Sequence, residues 1–378
     1  VDEISTVEFC LKKSEIELWC PQNPKLYKTE LSTDCETICD EIGYREIRTE
    51  GRQIILNGEP IRLYGLSVHS EFKDSGRTAT EAGLQMIIDK AKDLGVNFLR
   101  CAHYPYAESF GRAMDKAGLM WWEEVPAYWL SNMADPGQTE KACGMMHETI
   151  LRDWNRASII IWSVSNECCY RNPNNYDDNN YAYWFTVVPM VRELDPSRLI
   201  SCAEAGNMIS VTPVWDPEKA DEFKRDLTDK WLPGHSDEWY ELFDVLAANI
   251  YLNGGEDPNI AYRKYVEMLY DHNKPMMLSE FGSMSLLGAD EPDDVLGGEG
   301  FHCDIIRTAY ESFKNLPDLI GYSPWCLNDV RVPIHWRWYN QGKGVFRYGF
   351  LDENWQEKKA YKVLKDGIKS LKEHFGDK

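Results

Sequence analysis

The sequence predicts an eight-stranded β/α (TIM) barrel preceded by a short β-rich segment, and three observations carry that prediction. From about residue 61 to the end, short apolar strands alternate with helices of amphipathic spacing, the signature of this architecture. Two of the strands, residues 158–165 and 274–279, are rich in β-branched or other apolar residues throughout, as strands covered on both faces are. Both end in a carboxylate, Asn166-Glu167 in one and Glu280 before Phe281-Gly282 in the other. In a parallel barrel the side chains at the C-terminal strand ends face one common site, so these carboxylates are candidates for shared chemistry.

The elements follow in order. Residues 1–50 lie outside the barrel: Glu15 to Trp19 and Leu26 to Leu31 alternate polar and apolar on either side of Pro24, like short strands at the edge of a sandwich. Residues 51–60 form a hairpin with Asn57-Gly58 as a type I′ turn. The first barrel strand, 61–68, delivers His69 and Glu71. Thr78 and Glu81 have the spacing of a capping box and open a helix whose Leu84, Ile87, Ile88, Ala91 and Leu94 share one face, closed by Gly95. Strand 96–100 leads to His103, a helix over 107–117 ends at Gly118, and strand 119–122 carries Glu123 and Glu124. A helix over 142–154 precedes the Asn166-Glu167 strand. An Asn/Asp/Tyr-rich loop, 172–180, and a helix to Leu194 come next, then strand 199–203.

Residues 214–240 are charged, aromatic and longer than a βα connection needs, which predicts a helical insertion over the barrel mouth. Strand 245–250 reaches Tyr251, and strand seven ends at Glu280. The Gly-rich acidic loop 283–300 precedes helix seven. Strand 320–325 ends at Trp325 and is followed by a basic aromatic loop. The last helix, 358–375, sets Val363, Leu364, Ile368, Leu371 and Phe375 on one face.

A chain of 378 residues is long enough for one large core. Its net charge of −21 argues against a nucleic-acid partner, whose phosphates it would repel. No apolar run is long enough to cross a bilayer and no charged-apolar-small leader is visible, so no membrane partner is expected. The eleven cysteines include Cys35-x-x-x-Cys39 and Cys168-Cys169, but neither has a second ligand pair at zinc spacing. They read as buried reduced thiols, and a cytoplasmic location follows. Some of the 14 Trp and 20 Tyr offer flat apolar faces of the kind that cover sugar rings, although most belong to the core.

The chain resembles glycoside hydrolase family 2, which contains β-galactosidases, β-glucuronidases and β-mannosidases. The resemblance rests on Arg152-Asp153-Trp154-Asn155-Arg156-Ala157-Ser158 running into Trp162-Ser163-Val164-Ser165-Asn166-Glu167. Arg100-Cys101-Ala102-His103-Tyr104-Pro105, Ser279-Glu280-Phe281-Gly282 and Ser323-Pro324-Trp325 also match, all in the family's order over about residues 44–365. The resemblance implies that residues 1–50 are the remnant of an immunoglobulin-like domain, that residues 51–378 are the catalytic barrel, and that the jelly-roll domain usually found first is missing. It makes the chain either a fragment or a shortened enzyme.

Retaining hydrolysis of a glycoside needs one protonated and one ionised carboxyl group about 5–5.5 Å apart. The resemblance makes Glu167 the acid/base and Glu280 the nucleophile, and a negative Glu280 would raise the Glu167 pKa, as that division requires. It makes Asn166 the amide that grips the sugar 2-hydroxyl, Tyr251 a donor to the nucleophile and Trp325 the floor of the sugar subsite. His69, Glu71 and His103 line the sugar site, and Arg100 pairs with a carboxylate inside the barrel, with Glu124 behind. Uronidases of the family read the sugar carboxylate with Asn-x-Lys. Here the stretch is Asn340-Gln341-Gly342-Lys343, one residue longer, so Asn340 and Lys343 pinch a carboxylate, or Gln341 takes the Asn role, or the sugar is neutral. Arg331, His335 and Arg337 add positive charge nearby, either for the sugar carboxylate or to neutralise acidic neighbours such as Asp329. The leading expectation is an exo-β-glycosidase acting on a β-glucuronide; a β-galactoside and an inactive carbohydrate-binding barrel are the alternatives. The expected partner is a carbohydrate, a homo-oligomer is compatible with the sequence, and neither organic cofactor nor metal is assigned.

Overall fold

The computed structural model describes residues 10–128, 133–168, 178–205, 235–252, 257–293, 295–332 and 344–377. The chain begins with an antiparallel hairpin, β1 (Tyr27–Ser32) and β2 (Thr37–Ile42), and a three-stranded antiparallel sheet, β3 (Ile47–Glu50), β4 (Gln53–Leu56) and β5 (Glu59–Ile61). Between β4 and β5, Asn57 and Gly58 have φ of 55° and 94°, the pair of positive values that a type I′ turn demands. This sheet runs across residue 50, so ladder hydrogen bonds join residues 47–50 to residues 53–61, in a sheet separate from the barrel.

The barrel strands are β6 (Leu63–Val68), β7 (Phe98–Cys101), β8 (Met120–Glu124), β9 (Ile159–Asn166), β10 (Leu199–Ala205), β11 (Leu246–Asn249), β12 (Met276–Glu280) and β13 (Leu319–Tyr322). They close in sequence order, and β13 returns to β6 through Gly321↔Leu63 and Tyr322↔Tyr64. Gly321 allows close approach inside the barrel, since a Cβ there would lie 2.5 Å from the Met277 Cβ. The surrounding helices are α1 (Glu81–Leu94), α2 (Glu108–Ala117), α3 (Pro136–Asp153), α4 (Asp178–Leu194), α5 (Asp237–Leu242), α6 (Pro258–Leu269), α7 (Glu299–Phe313) and α8 (Lys359–Phe375). Beyond β13, the short strands β14 (Val330–Arg331) and β15 (Val345–Phe346) pair antiparallel.

Strand alternation divides the core in two. On β8, Trp121 faces outward into the layer shared with the helices, while Trp122 faces the barrel axis. The axial cluster also contains Phe98, Met120, Ile161 and Met277, and fully buried Trp19 from the β-rich segment joins it. Trp19 donates its indole N–H to the Asp115 carbonyl at 2.8 Å, which fastens that segment to the end of α2.

Several sequence expectations need correction. Residues 16–19 pair with no strand: Glu17 donates its amide to the Tyr27 hydroxyl and Trp19 turns inward. The cap of α1 is Thr80, whose hydroxyl accepts from the Gly83 amide, and not Thr78 in a box with Glu81, because Thr78 belongs to a turn with Ser75. Helix α3 starts at Pro136 and not at 142, since Asp135 caps it and proline suits the first turn, where no amide is needed. Strand β13 stops at Tyr322, leaving Trp325 in the turn beyond. Cys10, Cys35 and Cys39 are exposed, not buried; the last two lie on the β1–β2 hairpin, whose two strands form a sheet of their own with little to cover them. No described helix is long and apolar enough to cross a membrane.

Candidate active site

The C-terminal ends of β7, β8, β9 and β12 converge on one fully buried guanidinium. Arg100 Nη1 donates to Glu280 Oε1 at 2.5 Å, and Nη2 donates to Asn166 Oδ1 at 2.7 Å and to Glu124 Oε2 at 3.1 Å. The expected pairing of Arg100 with a barrel carboxylate is therefore present twice, and the arginine also aims the Asn166 amide. Burial works against the charged form of Glu124. The charge of Arg100, with hydrogen bonds from His103 and Trp122, outweighs it and holds this carboxyl down at about 2. The same neighbours, Glu124 and Glu280, raise the Arg100 pKa against the cost of its own burial.

Glu280 is gripped from its other side by Tyr251, whose hydroxyl donates to Oε2 at 2.6 Å. Burial first, and the Glu280 charge second, push the Tyr251 phenol well above its ordinary range, so it keeps the proton it donates. The strand ends two residues earlier, at Asn249, and the chain turns so that Tyr251 reaches across to β12. Gly282 follows Glu280 with φ of 137°, a conformation that favours glycine, and a Cβ there would sit 3.0 Å from the Trp325 carbonyl. The Trp325 amide in turn donates to the Phe281 carbonyl at 2.8 Å, locking the turn after Glu280 to the one after β13.

Glu167 ends β9 in the left-handed region, with φ of 52°, while its amide still bonds the Ala203 carbonyl at 2.8 Å. A non-glycine residue there costs about 1–2 kcal/mol, and the hydrogen bonds around it hold the conformation. Asn249 Nδ2 donates to Glu167 Oε1 at 2.7 Å and to Asn166 Oδ1 at 3.0 Å. The Asn249 carbonyl oxygen accepts from the Ser279 hydroxyl at 2.7 Å, which fixes the amide's orientation. The two asparagines differ in one respect. Asn249 has every side-chain polar atom engaged, whereas Asn166 Nδ2 is buried with no hydrogen-bond partner among the described residues.

Trp325 lies nearly parallel to His103, at 5.2 Å and 16°, and meets His69 edge-on, at 5.1 Å and 88°. His103 Nδ1 is 2.5 Å from Glu124 Oε1, and its Nε2 is 4.0 Å from Glu280 Oε1. Tyr251, Tyr348, Val330 and Cys326 complete the apolar wall on Trp325. The peptide bonds Ala102-His103 and Trp325-Cys326 are cis.

Of the residues expected at the site, Glu167, Glu280, Asn166, His69, His103, Tyr251 and Trp325 are thus brought together. Glu71 instead joins ion pairs at the rim, with Arg331 at 2.8 Å and Arg77 at 3.6 Å. Arg331 is correspondingly committed to Glu71 and to the Phe72 and Lys73 carbonyls rather than left for a ligand. Asp329 is neutralised by Lys358, at 2.7 Å, and Arg347, at 3.1 Å. Asn340, Gln341, Lys343, His335 and Arg337 lie outside the described residues, as do 172–177 of the Asn/Asp/Tyr-rich loop and 214–234 of the expected insertion. Asn249, Ser279 and Tyr104 were missed. For Asn249 the signal is one polar residue closing an apolar strand, and it becomes specific only beside β9. Among the described residues, no group of three or more His, Cys, Asp or Glu is placed to hold a metal ion.

Residues 47–297 match the family model for the TIM barrel domain of glycosyl hydrolases family 2. The chain is 27% identical over 381 residues to a β-glucuronidase of Streptococcus agalactiae, covering 93% of this chain and 58% of that protein. It is 30% identical over 163 residues to a β-galactosidase of Arthrobacter sp., which covers 40% of this chain and 16% of that protein. The structure of a β-galacturonidase from Eisenbergiella tayi bound to galacturonate superposes with a TM-score of 0.79 at 26% identity, over 94% of this chain and 60% of that one. The chain spans little more than half the length of the β-glucuronidases it matches from Streptococcus agalactiae and Paenibacillus borealis, 58% and 52% respectively.

Proposed function

We propose that this chain, which belongs to glycosyl hydrolase family 2, carries the catalytic barrel of a retaining exo-β-glycosidase that removes a terminal β-linked uronic acid, with glucuronide as the leading substrate. The observation that carries the proposal is a single hydrogen-bonded set. Arg100 joins Glu280 to Asn166, and Asn249 joins Asn166 to Glu167, so both glutamates and the amide between them are positioned together.

In the first step Glu280 attacks the anomeric carbon while Glu167 gives its proton to the departing glycosidic oxygen. Arg100 and Tyr251 fix the two oxygens of Glu280, so one must loosen as the glycosyl–carboxylate bond forms. In the second step Glu167 takes a proton from water, which attacks the same carbon and frees Glu280. The unfilled Asn166 N–H donors meet the sugar 2-hydroxyl, a contact that strengthens as positive charge develops on the ring. Trp325 floors the subsite, and Asn340 with Lys343 takes the uronate carboxylate.

The β-glucuronidase and β-galacturonidase relatives support a uronide, since both sugars carry a carboxylate on the ring. A neutral galactoside is the second reading, favoured by the match to the Arthrobacter β-galactosidase. Residues 1–50 read as the tail of an immunoglobulin-like sandwich, in keeping with the outward-facing Leu31 and Ile38 of the β1–β2 hairpin. Cys10, Cys20, Cys35, Cys39, Cys101, Cys143, Cys303 and Cys326 are free thiols, which fits a reducing compartment such as the cytoplasm.

The test is hydrolysis of p-nitrophenyl β-glucuronide, β-galacturonide and β-galactoside by the chain and by Lys343→Ala. A charge-assisted hydrogen bond to the uronate is worth about 1.5–3 kcal/mol, so kcat/KM on the uronides should fall about 10- to 150-fold while any galactoside rate stays put. A ratio that does not move transfers the assignment to the galactoside. A folded protein that turns over none of the three is a binding barrel.

A further inference from the structure

Two histidines stand side by side against Trp325, with ring centroids 5.7 Å apart and planes at 81°, and their Nδ1 atoms have opposite kinds of partner. His69 Nδ1 lies 3.2 Å from the Tyr104 hydroxyl. That same oxygen accepts the Ser70 amide N–H at 3.2 Å, which occupies one of its lone pairs. A phenol is a better donor than acceptor, so its proton goes to His69 Nδ1, and the neutral ring must then carry its own proton on Nε2. Burial first, with the charges of Arg77 and Arg100 beside it, holds the His69 imidazole well below its ordinary range, which keeps the ring neutral.

His103 is the reverse case. Its Nδ1 is 2.5 Å from Glu124 Oε1, and an ionised carboxylate can only accept. Arg100 Nη2 also lies 3.4 Å from this nitrogen, but it is a donor and the more distant neighbour, so the carboxylate decides that Nδ1 is protonated. In the neutral ring the lone pair is then on Nε2, the atom that faces Glu280 at 4.0 Å.

We propose that Tyr104 and Glu124 are positioning residues that hold His69 and His103 in opposite tautomers, so that the pocket floored by Trp325 presents a ring N–H donor beside a ring-nitrogen acceptor. A sugar hydroxyl can accept from the first and donate to the second; a methoxy group or a hydrogen in its place cannot. The consequence for sugar recognition rests on the glycosidase reading above, whereas the tautomers themselves do not.

The experiment is long-range ¹H–¹⁵N correlation of the imidazoles in the full chain labelled with ¹⁵N-histidine, with the two rings assigned by the signals lost in His69→Gln and His103→Gln. The expected spectrum has His69 with an unprotonated-type Nδ1 and a protonated-type Nε2, and His103 with the opposite pattern. Tyr104→Phe keeps the aromatic ring, which stacks on Tyr106 at 5.5 Å, and removes only the hydroxyl. It should draw the two His69 nitrogen shifts toward each other, leave those of His103 in place, and lower kcat/KM about tenfold. Both rings in the same tautomer in the unmutated protein, or His69 shifts that do not respond to Tyr104→Phe, would overturn the proposal. If the tautomers are opposite but no β-glycoside is hydrolysed, the tautomer assignment stands and the glycosidase reading fails.

Discussion

The two ends of the barrel both bury arginines, but they use them differently. At the base, Arg45 donates to the carbonyls of Ala157, Ser197 and Ile159 at 3.3, 2.9 and 2.7 Å. Arg198 donates to Ile159, Trp154 and Arg156 carbonyls and to Asp195, so every nitrogen of both guanidinium groups has a protein partner. At the mouth, Arg100 spends its terminal nitrogens on carboxylates and on the Asn166 carbonyl oxygen, and this leaves the Asn166 amide nitrogen buried and unfilled. A buried unsatisfied donor costs about 1–3 kcal/mol. The base uses its arginines to tie loops together, whereas the mouth leaves an amide N–H with no partner among the described residues.

The largest expected effects are at the mouth. Glu280→Gln should lower kcat by about 10⁴-fold or more on every substrate, because an amide can neither attack nor stabilise the oxocarbenium-like state. Glu167→Ala should lose about 10²- to 10⁴-fold on glycosides with poor leaving groups but retain turnover of a dinitrophenyl glycoside, which needs no proton. Equal losses on both leaving groups, read from initial rates, would remove Glu167 from the acid role.

The base should answer in stability. Asp195 is fully buried, and although burial opposes its ionisation, Arg198 with Ser197 and Trp162 holds it down to about 2. Arg198→Ala leaves that carboxylate without its positive partner and the Trp154 and Arg156 carbonyls without this donor, and should cost about 3–5 kcal/mol in urea unfolding at pH 7. The folded pKa of Asp195 lies below its unfolded value. Its stabilisation is therefore present above about pH 4 and lost as pH falls toward about 2, and the gap between native and variant should narrow over that window. A gap that stays constant, or widens in acid, would contradict the role given to the pair.

A smaller effect sharpens the contrast. Asn166→Ala should reduce kcat/KM about 10- to 100-fold on an ordinary glycoside and little on its 2-deoxy counterpart, where the hydroxyl partner is already absent. The same loss on both substrates would mean that Asn166 serves only to organise Arg100.

The barrel and both glutamates were legible in the sequence because each rests on a repeated local pattern: an apolar strand, a carboxylate at its end, a glycine or asparagine turn. The rest depends on cross-strand register. Asn249 looks like any polar strand end until β9 and β12 place Glu167 and Ser279 within reach of its two ends. Glu71 was expected at the sugar from its place after the first barrel strand, yet Arg331, distant in sequence, claims it. The cap of α1 could be read at Thr78 or Thr80, and the Ser75–Thr78 turn decides between them. The sandwich-edge reading of residues 1–50 drew in part on alternation at Glu15 to Trp19, where burial of Trp19 prevailed over strand pairing.

The central claim, that Glu280 is the nucleophile of a two-glutamate glycosidase, is tested most directly by trapping. The chain would be incubated with dinitrophenyl 2-deoxy-2-fluoro glycosides of glucuronic acid, galacturonic acid and galactose, and the intact mass and proteolytic peptides then measured. The fluorine slows both steps while the good leaving group speeds only the first, so a covalent glycosyl-enzyme should accumulate with one of the three sugars. The added mass should reside on Glu280, and its removal by water should restore activity. An adduct on Glu167, or stoichiometric release of dinitrophenol with no covalent mass, would contradict the account.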